Sequence, residues 1–246
     1  MNSAPDEEQV NMITRYPWDV FPPVWIHANE STVKQHPSYL AAKSGDPDAA
    51  YLLVDALLNP IIVEQLAETF ARQKPVLVSA HAVEGSGVNA IPEALADILA
   101  QQLGWPTDMS IVQINIVSHT GADGFSRLAR QAKFDGDILA GKPYLLIDDF
   151  IGQGGTLANL RSHIMSRGGS VLGATVLTGK PYSAKMALDG VTLEQLRLKH
   201  GQRLENWWNH RFGFKFDCLT ESEARYLLNT PDVDRIRNKI IAAVQG

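Results

Sequence analysis

The chain has a single cysteine, no excess of positive charge and no apolar run long enough to cross a bilayer. Because Cys218 is alone, an intramolecular disulfide and a cysteine-cluster zinc site are excluded, and a reducing compartment is indicated. The formal net charge of −5 argues against a nucleic-acid partner held by bulk electrostatics, since a phosphate backbone is bound mainly by Lys and Arg. Residues 1–10 are polar and acidic and lack the apolar centre of a secretory signal. We therefore expect a cytoplasmic protein without a membrane segment.

The length of 246 residues and the hydrophobic content of 45% are enough for one sizeable core, and neither demands two independent domains. Apolar periodicity over 49–58 and 61–70 predicts two helices in an N-terminal cap or hood. After residue 74 the pattern changes to short β-rich runs, and beyond residue 188 it becomes helical again. We divide the chain into a hood segment at 1–74, a core at 75–188 and a helical C-terminal extension at 189–246.

The β-rich runs of the core segment alternate with helical patterns, which is typical of βαβ units around a parallel sheet. Gly104 and Gly168 follow the two helical runs, where a left-handed C-cap favours glycine. In the extension, Thr220 and Glu223 fit a capping box that opens a helix. The predicted fold class is therefore α/β, a parallel sheet flanked by helices. The predicted strands are 76–80, 111–117, 144–147 and 171–177, and the predicted helices are 91–103 and 157–167.

The stretch 144–156 combines a buried strand, the acidic pair Asp148 and Asp149, a glycine-rich loop and the start of a helix. Glycines at such a turn let backbone N–H groups converge on an anion, and the helix N-terminus adds the positive end of its dipole. The spacing of the glycines, at 152, 154 and 155, matches neither a P-loop, whose lysine is also missing, nor GxGxxG.

The acidic pair narrows the choice of ligand. Two carboxylates beside a bound phosphate repel it unless they face hydroxyl groups or a metal ion, and a sugar phosphate with vicinal hydroxyls meets both requirements. The alternative is that Asp148 and Asp149 only cap the following turn while the glycines serve its tight geometry.

The run from Leu145 to Thr156 resembles the motif with which type I phosphoribosyltransferases bind 5-phosphoribosyl-1-pyrophosphate (PRPP). The similarity covers about residues 75–181, and the layout is closest to the ComF-like branch. It implies a type I phosphoribosyltransferase-like three-layer fold with helical hood segments. It also implies transfer of the 5-phosphoribosyl group to a nitrogen acceptor, such as a nucleobase, with Mg²⁺ bound mainly through PRPP.

The same resemblance assigns roles to residues. Asp148 and Asp149 would contact the ribose hydroxyls, with magnesium nearby, and the 5′-phosphate loop would consist of Gly152, Gln153, Gly154, Gly155 and Thr156. The family usually has Thr where this chain has Gln153. A second loop, Glu84, Gly85, Ser86 and Gly87, corresponds to the pyrophosphate loop, with Ser86 where ComF-like proteins tend to carry arginine. An ordinary βα turn is the alternative for this second loop.

A long connection between 117 and the acidic pair corresponds to the mobile catalytic loop of the family, with His119, Arg127, Arg130 and Lys133 as its polar residues. Cations in this loop would neutralise charge on departing pyrophosphate. The alternative is one solvated helix face, since these cations are spaced by three.

Lys180 and Tyr182 follow the last predicted strand and are the expected base-reading residues; a surface lysine in a turn is the alternative. Trp207 and Trp208 are candidates for base stacking, or for core and interface packing. His163 is expected to be a packed or surface residue, and the remaining histidines lack metal-ligand spacing.

The expected partners are PRPP and a small-molecule acceptor, with no nucleic acid and no membrane. A homodimer or a protein partner would be held through the C-terminal extension. Two other functions stay open: a non-catalytic PRPP-responsive regulator, and an accessory or effector protein.

Overall fold

The computed structural model describes residues 12–80, 83–84, 87–115, 117 and 123–245. The strands, numbered in chain order, are β1 Trp25–Ala28, β2 Val76–Ser79, β3 Val83–Glu84, β4 Gly87–Val88, β5 Thr107–Asp108, β6 Val112–Gln113, β7 Phe134–Asp135, β8 Pro143–Ile151 and β9 Ser170–Gly179. The helices are α1 Glu30–Gln35, α2 Tyr39–Lys43, α3 Pro47–Leu57, α4 Pro60–Phe70, α5 Ile91–Leu103, α6 Gly124–Ala129, α7 Gly155–Ser166, α8 Gly190–Phe212, α9 Glu221–Leu228 and α10 Val233–Gln245.

A parallel sheet in the order β1-β9-β8-β2-β5 forms the centre of the molecule. Strand β8 is central and buried on both faces, which is why its sequence is a continuous apolar run rather than an alternating one. Leu145 and Ile147 pack with α3, α4 and α5 on one face, while Tyr144 and Leu146 pack with α7 on the other. The predicted α/β class, a parallel sheet flanked by helices, is confirmed.

The predicted strand 111–117 is wrong as a member of this sheet. Of the residues of this stretch that the structure describes, Val112–Gln113 alone forms a strand, and it pairs antiparallel with Phe134–Asp135 in a separate ribbon. The Gln113 amide donates to the Asn115 carbonyl at 2.6 Å, and the Asn115 amide donates to the Gln131 carbonyl at 2.8 Å. The first of these bonds, to backbone two residues away, competes with a strand ladder, and the second ties the segment to the residues after α6. Strand β5 holds the sheet edge instead.

The hood segment contributes more than helices, because β1 adds an edge strand that pairs parallel with β9. Sequence reasoning missed this strand, which is four residues long and includes the buried polar side chain of His27. Burial lowers the pKa of His27 to about 4. The His27 ring therefore stays neutral within the sheet edge, where Nε2 lies 3.1 Å from the Thr175 hydroxyl.

The C-terminal extension forms a third apolar cluster with α6. Trp208, Phe212 and Phe216 are buried there together with Phe125 and Leu128 of α6. The predicted capping box is present at the start of α9, and the predicted left-handed glycines have φ of +65° at position 104 and +86° at position 168.

Within the described residues, no single helix has the length and apolar composition of a membrane span; α3 and α4 pass that test only as a pair, bent by 87°.

Candidate functional site

A cavity of about 860 Å³ opens at the carboxyl ends of β2, β8 and β9. Ligands of open α/β sheets bind at this edge, because the strand-to-helix turns converge there. The cavity brings together most of the residues predicted from sequence: Asp148, Asp149, Gly152, Gln153, Gly154, Gly155, Thr156, Arg127, Arg130, Lys180 and Tyr182.

The acidic pair belongs to the end of β8, whose ladder with β9 continues past the predicted strand end at Ile147. Asp148 is only 8% exposed, and its Oδ1 accepts the backbone N–H of Asp149 at 2.8 Å. The Oδ2 atom of Asp149 lies 2.7 Å from Nζ of Lys43, and Asn89 also hydrogen-bonds this carboxylate. The pair is therefore asymmetric, since Lys43 neutralises one of its two carboxyl groups.

This asymmetry sets the protonation of the two groups. Burial, reinforced by repulsion from Asp149, raises the pKa of Asp148 well above its ordinary value of 3.8. Burial alone would also raise the pKa of Asp149, but the charge and hydrogen bond of Lys43 outweigh it and leave that pKa below 3.8. The site thus holds one firmly ionised carboxylate beside one that accepts a proton readily.

The glycine loop forms the predicted turn into α7. Gly154 has φ of +81°, a left-handed conformation that favours glycine, and α7 begins at the next residue. The Thr220 hydroxyl donates to the Gln153 carbonyl at 2.6 Å, and the Ser183 hydroxyl donates to the Gly152 carbonyl. The loop is thereby fixed by the segments that follow it in sequence, while its first helical turn opens into the cavity.

Arg127 lies directly against this loop. A Cβ atom at Gly152 would overlap an Nη atom of Arg127, so the guanidinium occupies the space that glycine leaves. Arg130 also lines the cavity, and its Nε donates to the Ala243 carbonyl at 3.2 Å. One cation, Arg127, therefore stands at the loop on which an anion would rest, and Arg130 lines the same cavity.

The described part of the predicted mobile loop is docked. Helix α6 buries Phe125 and Leu128 in the C-terminal cluster, and Phe125 makes an edge contact with Tyr226 at 5.0 Å between ring centroids. Lys133 does not join the cavity; it lines a separate space of about 210 Å³. His119 lies outside the described residues.

Of the predicted pyrophosphate loop, Gly85 and Ser86 lie outside the described residues. Glu84 and Gly87 pair with one another in the antiparallel ribbon of β3 and β4. Asn89, just beyond this ribbon, is 2% exposed, lines the cavity and accepts the Ile91 N–H at 3.2 Å.

The hood supplies cavity residues that sequence reasoning missed: Glu30, Lys34, Tyr39 and Lys43. Glu30 accepts from Lys180 at 2.5 Å and from Lys34 at 2.6 Å. The i,i+4 spacing of Glu30 and Lys34 was a visible signal for a helical ion pair, but nothing in the sequence placed it near Lys180. Among the described residues, six basic and four acidic side chains line the cavity, although the whole chain carries −5.

A buried cluster around Arg15 supports the loop from behind. Its guanidinium contacts Glu223 at 2.7 Å, Asn159 at 2.5 Å and Gln131 at 2.8 Å. An Nη atom also donates to the Gly155 carbonyl at 3.4 Å. Four distant segments thus meet under the first turn of α7, and no local pattern predicted it.

The remaining candidates lie elsewhere. Trp208 is fully buried in the C-terminal cluster, and Trp207 packs between Arg211 and Arg237, so neither tryptophan lines the cavity. His163 is 9% exposed, and its Nε2 lies 3.2 Å from the Gly136 carbonyl.

No family model matches the chain. Protein TraN of Escherichia coli is 38% identical over 229 residues, which are 93% of this chain and 51% of TraN. An uncharacterized protein of Haemophilus influenzae is 37% identical over 165 residues, 67% of this chain and 37% of the relative. The chain thus spans about half the length, or less, of the curated relatives it matches.

Solved structures with some similarity include phosphoribosyltransferases and a UMP synthase. A purine phosphoribosyltransferase from Pyrococcus horikoshii shares 21% identity over 50% of this chain and 75% of its own, with a TM-score of 0.33. The UMP synthase of Leishmania donovani shares 17% identity over 74% of this chain and 33% of its own, with a TM-score of 0.32. Both TM-scores are below 0.5.

Proposed function

We propose that the chain binds PRPP with magnesium and transfers its 5-phosphoribosyl group to a nitrogen acceptor. One observation carries this proposal: the acidic pair, the glycine turn of α7 and Arg127 line the same cationic cavity. A phosphorylated ribose needs both features together, carboxylates for its vicinal hydroxyls and N–H groups with cations for its phosphate.

In this proposal the 5′-phosphate rests on the turn from Gly152 to Thr156, with Arg127 above it. Asp148 and Asp149 accept hydrogen bonds from the ribose 2′- and 3′-hydroxyls. These contacts orient C1 of the sugar toward the acceptor, and positioning of this kind supplies much of the rate enhancement in a displacement reaction.

The reaction forms a bond from the acceptor nitrogen to C1 while the bond from C1 to a pyrophosphate oxygen breaks. Pyrophosphate keeps the electron pair, and the acceptor nitrogen loses its proton to solvent. Positive charge develops on the ribose in the transition state, and the ionised Asp149 carboxylate at the ribose hydroxyls stabilises it electrostatically.

Magnesium fits this donor set as part of a complex with the phosphates of the ligand. Within the described residues no three His, Cys, Asp or Glu side chains form a metal cage. Two carboxylates offer the oxygen ligands that magnesium takes alongside substrate phosphates. When bound, the ion would neutralise charge on the departing pyrophosphate.

The acceptor would lie near Lys180 and Tyr182. The Lys180 ammonium has donors and no acceptor, which favours an oxo group on the base, while its partner Glu30 adds a carboxylate that can accept from a ring N–H. An oxopurine or similar oxo-base is therefore the acceptor we propose.

A second candidate is a PRPP-responsive protein without turnover. It is favoured by the docking of α6, because Phe125 and Leu128 are buried in the C-terminal cluster and so restrict the movement of Arg127 on the same helix. An accessory or effector role through the C-terminal extension is a variant of this candidate.

A pyrophosphate-release assay over a panel of purine and pyrimidine bases, with PRPP and magnesium, tests the proposal. We expect release with at least one oxo-base, and a loss of about 10–100-fold in Arg127→Met, since a hydrogen bond to a charged group is worth about 1.5–3 kcal/mol. Arg167→Met is the matched control, because Arg167 lies outside the cavity. PRPP binding without release for any base would favour the second candidate, and absence of binding would contradict both.

A further inference from the structure

The C-terminal extension forms one wall of the cavity, through a face of α9. Ser222, at the start of this face, donates to the Ser183 hydroxyl at 3.0 Å, and that hydroxyl holds the Gly152 carbonyl of the glycine turn. Four residues of α9 and its C-cap line the cavity at the helical spacing i, i+3, i+4 and i+7: Ser222, Arg225, Tyr226 and Asn229. The cavity therefore extends about 10 Å along α9, away from the glycine turn.

Helix α6 forms the facing wall. It meets α9 where Gly124 packs against the Tyr226 ring. One turn further along α6, Arg127 lies against Gly152, and Arg130 lines the same cavity. The space between the two helices thus receives guanidinium groups from both sides, two from α6 and its C-cap and one from Arg225 of α9.

The charge in this part of the cavity is unbalanced. Of the described residues of α6 and α9, Glu223 is the one carboxylate that lines the cavity, and Arg15 already neutralises it at 2.7 Å, with both side chains at most 2% exposed. The hood side differs, since Glu30 pairs there with both Lys34 and Lys180. The positive charge between α6 and α9 therefore favours a second anionic group of the ligand, beyond the one on the glycine turn.

The guanidinium of Arg225 is fixed along one edge. Its Nη2 donates to the Tyr182 carbonyl at 2.8 Å, and its Nε lies 3.5 Å from Glu221, which also accepts bonds from the Thr192 hydroxyl and the Asp189 N–H. These contacts of Arg225 with the described part of the chain use Nε and Nη2 but not Nη1. A guanidinium held in this way presents its remaining donors to phosphate oxygens in a fixed direction.

Resting on the proposed function, which puts the 5′-phosphate of a ribose on the glycine turn, we infer that the chain also binds a ribose with a 5′-diphosphate, as nucleoside diphosphates carry. The inner phosphate lies on the turn beside Arg127. The outer phosphate lies between α6 and α9, where Arg225 donates to its oxygens. A 5′-monophosphate ends at the turn, so Arg225 distinguishes the two ligands. Because such a diphosphate uses the ribose contacts of PRPP, it competes with PRPP for the cavity.

Calorimetric titration with ribose 5-phosphate and with ribose 5-diphosphate, both without magnesium, tests this subsite, because the two ligands differ only in the outer phosphate. In the wild type we expect the diphosphate to bind about 10-fold more tightly, since charge-assisted bonds are added. In Arg225→Met this preference should fall to about threefold or less, while the affinity for ribose 5-phosphate stays within about twofold of the wild type. Arg225→Gln serves the same purpose if Arg225→Met does not fold.

Arg167→Met is the matched control, because the Arg167 side chain is also 41% exposed and also has a distant partner, Asp135 at 3.8 Å, but lies outside this cavity. It should keep the wild-type preference. An unchanged preference in the Arg225 variants, or an equal loss of affinity for both ligands, overturns the inference.

The wild type separates this inference from the proposed function. If it binds PRPP with magnesium but gains less than about twofold from the outer phosphate, the inference is overturned and the proposed function stands. If it binds neither PRPP nor ribose 5-phosphate, both fall.

Discussion

Two adjacent carboxyl groups at the end of a buried strand are costly for folding. The raised pKa of Asp148 means that the folded protein holds this proton more tightly than the unfolded chain. The resulting stabilisation is complete below pH 3.8 and is lost as pH rises through the folded pKa. Asp149 has a lowered pKa, so its ionised form stabilises the fold. This stabilisation is complete above pH 3.8 and is lost as the pH falls below that value. Above 3.8, Asp148 is therefore the member of the pair that destabilises the fold.

We predict that Asp148→Asn raises the free energy of unfolding at pH 7.5, because an amide does not ionise in the buried site. The gain should shrink as the pH is lowered toward 4, and it is measured by urea denaturation across this range. Asp135→Asn, at a carboxylate 69% exposed, should leave the profile unchanged. An equal gain in unfolding free energy at pH 4.5 and pH 7.5 would contradict the raised pKa of Asp148.

The contact between Gly152 and Arg127 can be tested by substituting each residue in turn. We predict that Gly152→Ala weakens binding of ribose 5-phosphate by displacing the Arg127 guanidinium, with a loss of about 1.5–3 kcal/mol. In an Arg127→Ala background the same change should cost less than about 0.5 kcal/mol, since the displaced group is already absent. Calorimetry of the four proteins gives the coupling, and additive losses would show that Gly152 acts on the loop backbone alone.

The site residues that the sequence predicted are those that lie on one continuous stretch of chain. Asp148, Asp149 and the glycine turn share a strand and the helix that follows it, so their proximity needs no tertiary information. Lys43 and Arg15 stand more than 100 residues from their partners Asp149 and Glu223, and a single sequence carries no signal for such contacts.

Secondary-structure elements with strong apolar periodicity or clear capping residues were predicted correctly from the sequence. The helix predicted over 91–103 has those bounds in the structure, and the capping box opens α9. The strand predicted over 111–117 failed because the polar Gln113 bonds to backbone two residues away. Strand β1 was missed because the polar His27 interrupts its apolar run and Pro22 and Pro23 stand just before it.

The packing of α6 against the C-terminal cluster can be tested at Gly124. Gly124 is its first residue, and an added Cβ would overlap the Tyr226 ring, which Phe125 holds in place. We predict that Gly124→Ala lowers the free energy of unfolding by about 1–3 kcal/mol through this overlap. It should also weaken ribose 5-phosphate binding, since Arg127 moves with the helix.

Gly190 is likewise the first residue of a helix with an aspartate N-cap, but a Cβ there meets nothing within 4 Å. Gly190→Ala should therefore be neutral in both denaturation and binding. Equal effects of the two substitutions would show that α6 is not held by Tyr226.

At the scale of the whole molecule, Arg15 joins the N-terminal segment to α7, α9 and the segment after α6. We predict that Arg15→Met costs about 3–5 kcal/mol of unfolding free energy, because Glu223 is left as a buried charge without its partner. Arg167→Met removes a pair with Asp135 whose side chains are 41% and 69% exposed, and it should stay within about 0.5 kcal/mol of the wild type. Guanidinium denaturation measures both. A small effect at Arg15 would mean that the cluster does not bind the segments together.

Calorimetric titration of the whole chain with PRPP and magnesium asks directly whether the cavity binds a phosphorylated ribose. We expect saturable binding at one site per chain, weakened by about 1.5–3 kcal/mol in Asp149→Ala, which loses the bonds to the ribose hydroxyls. Asp189→Ala, at a carboxylate outside the cavity, should bind as the wild type does. No heat of binding in the wild type, or unchanged affinity in a folded Asp149→Ala protein, would contradict the claim that this cavity holds a phosphorylated ribose.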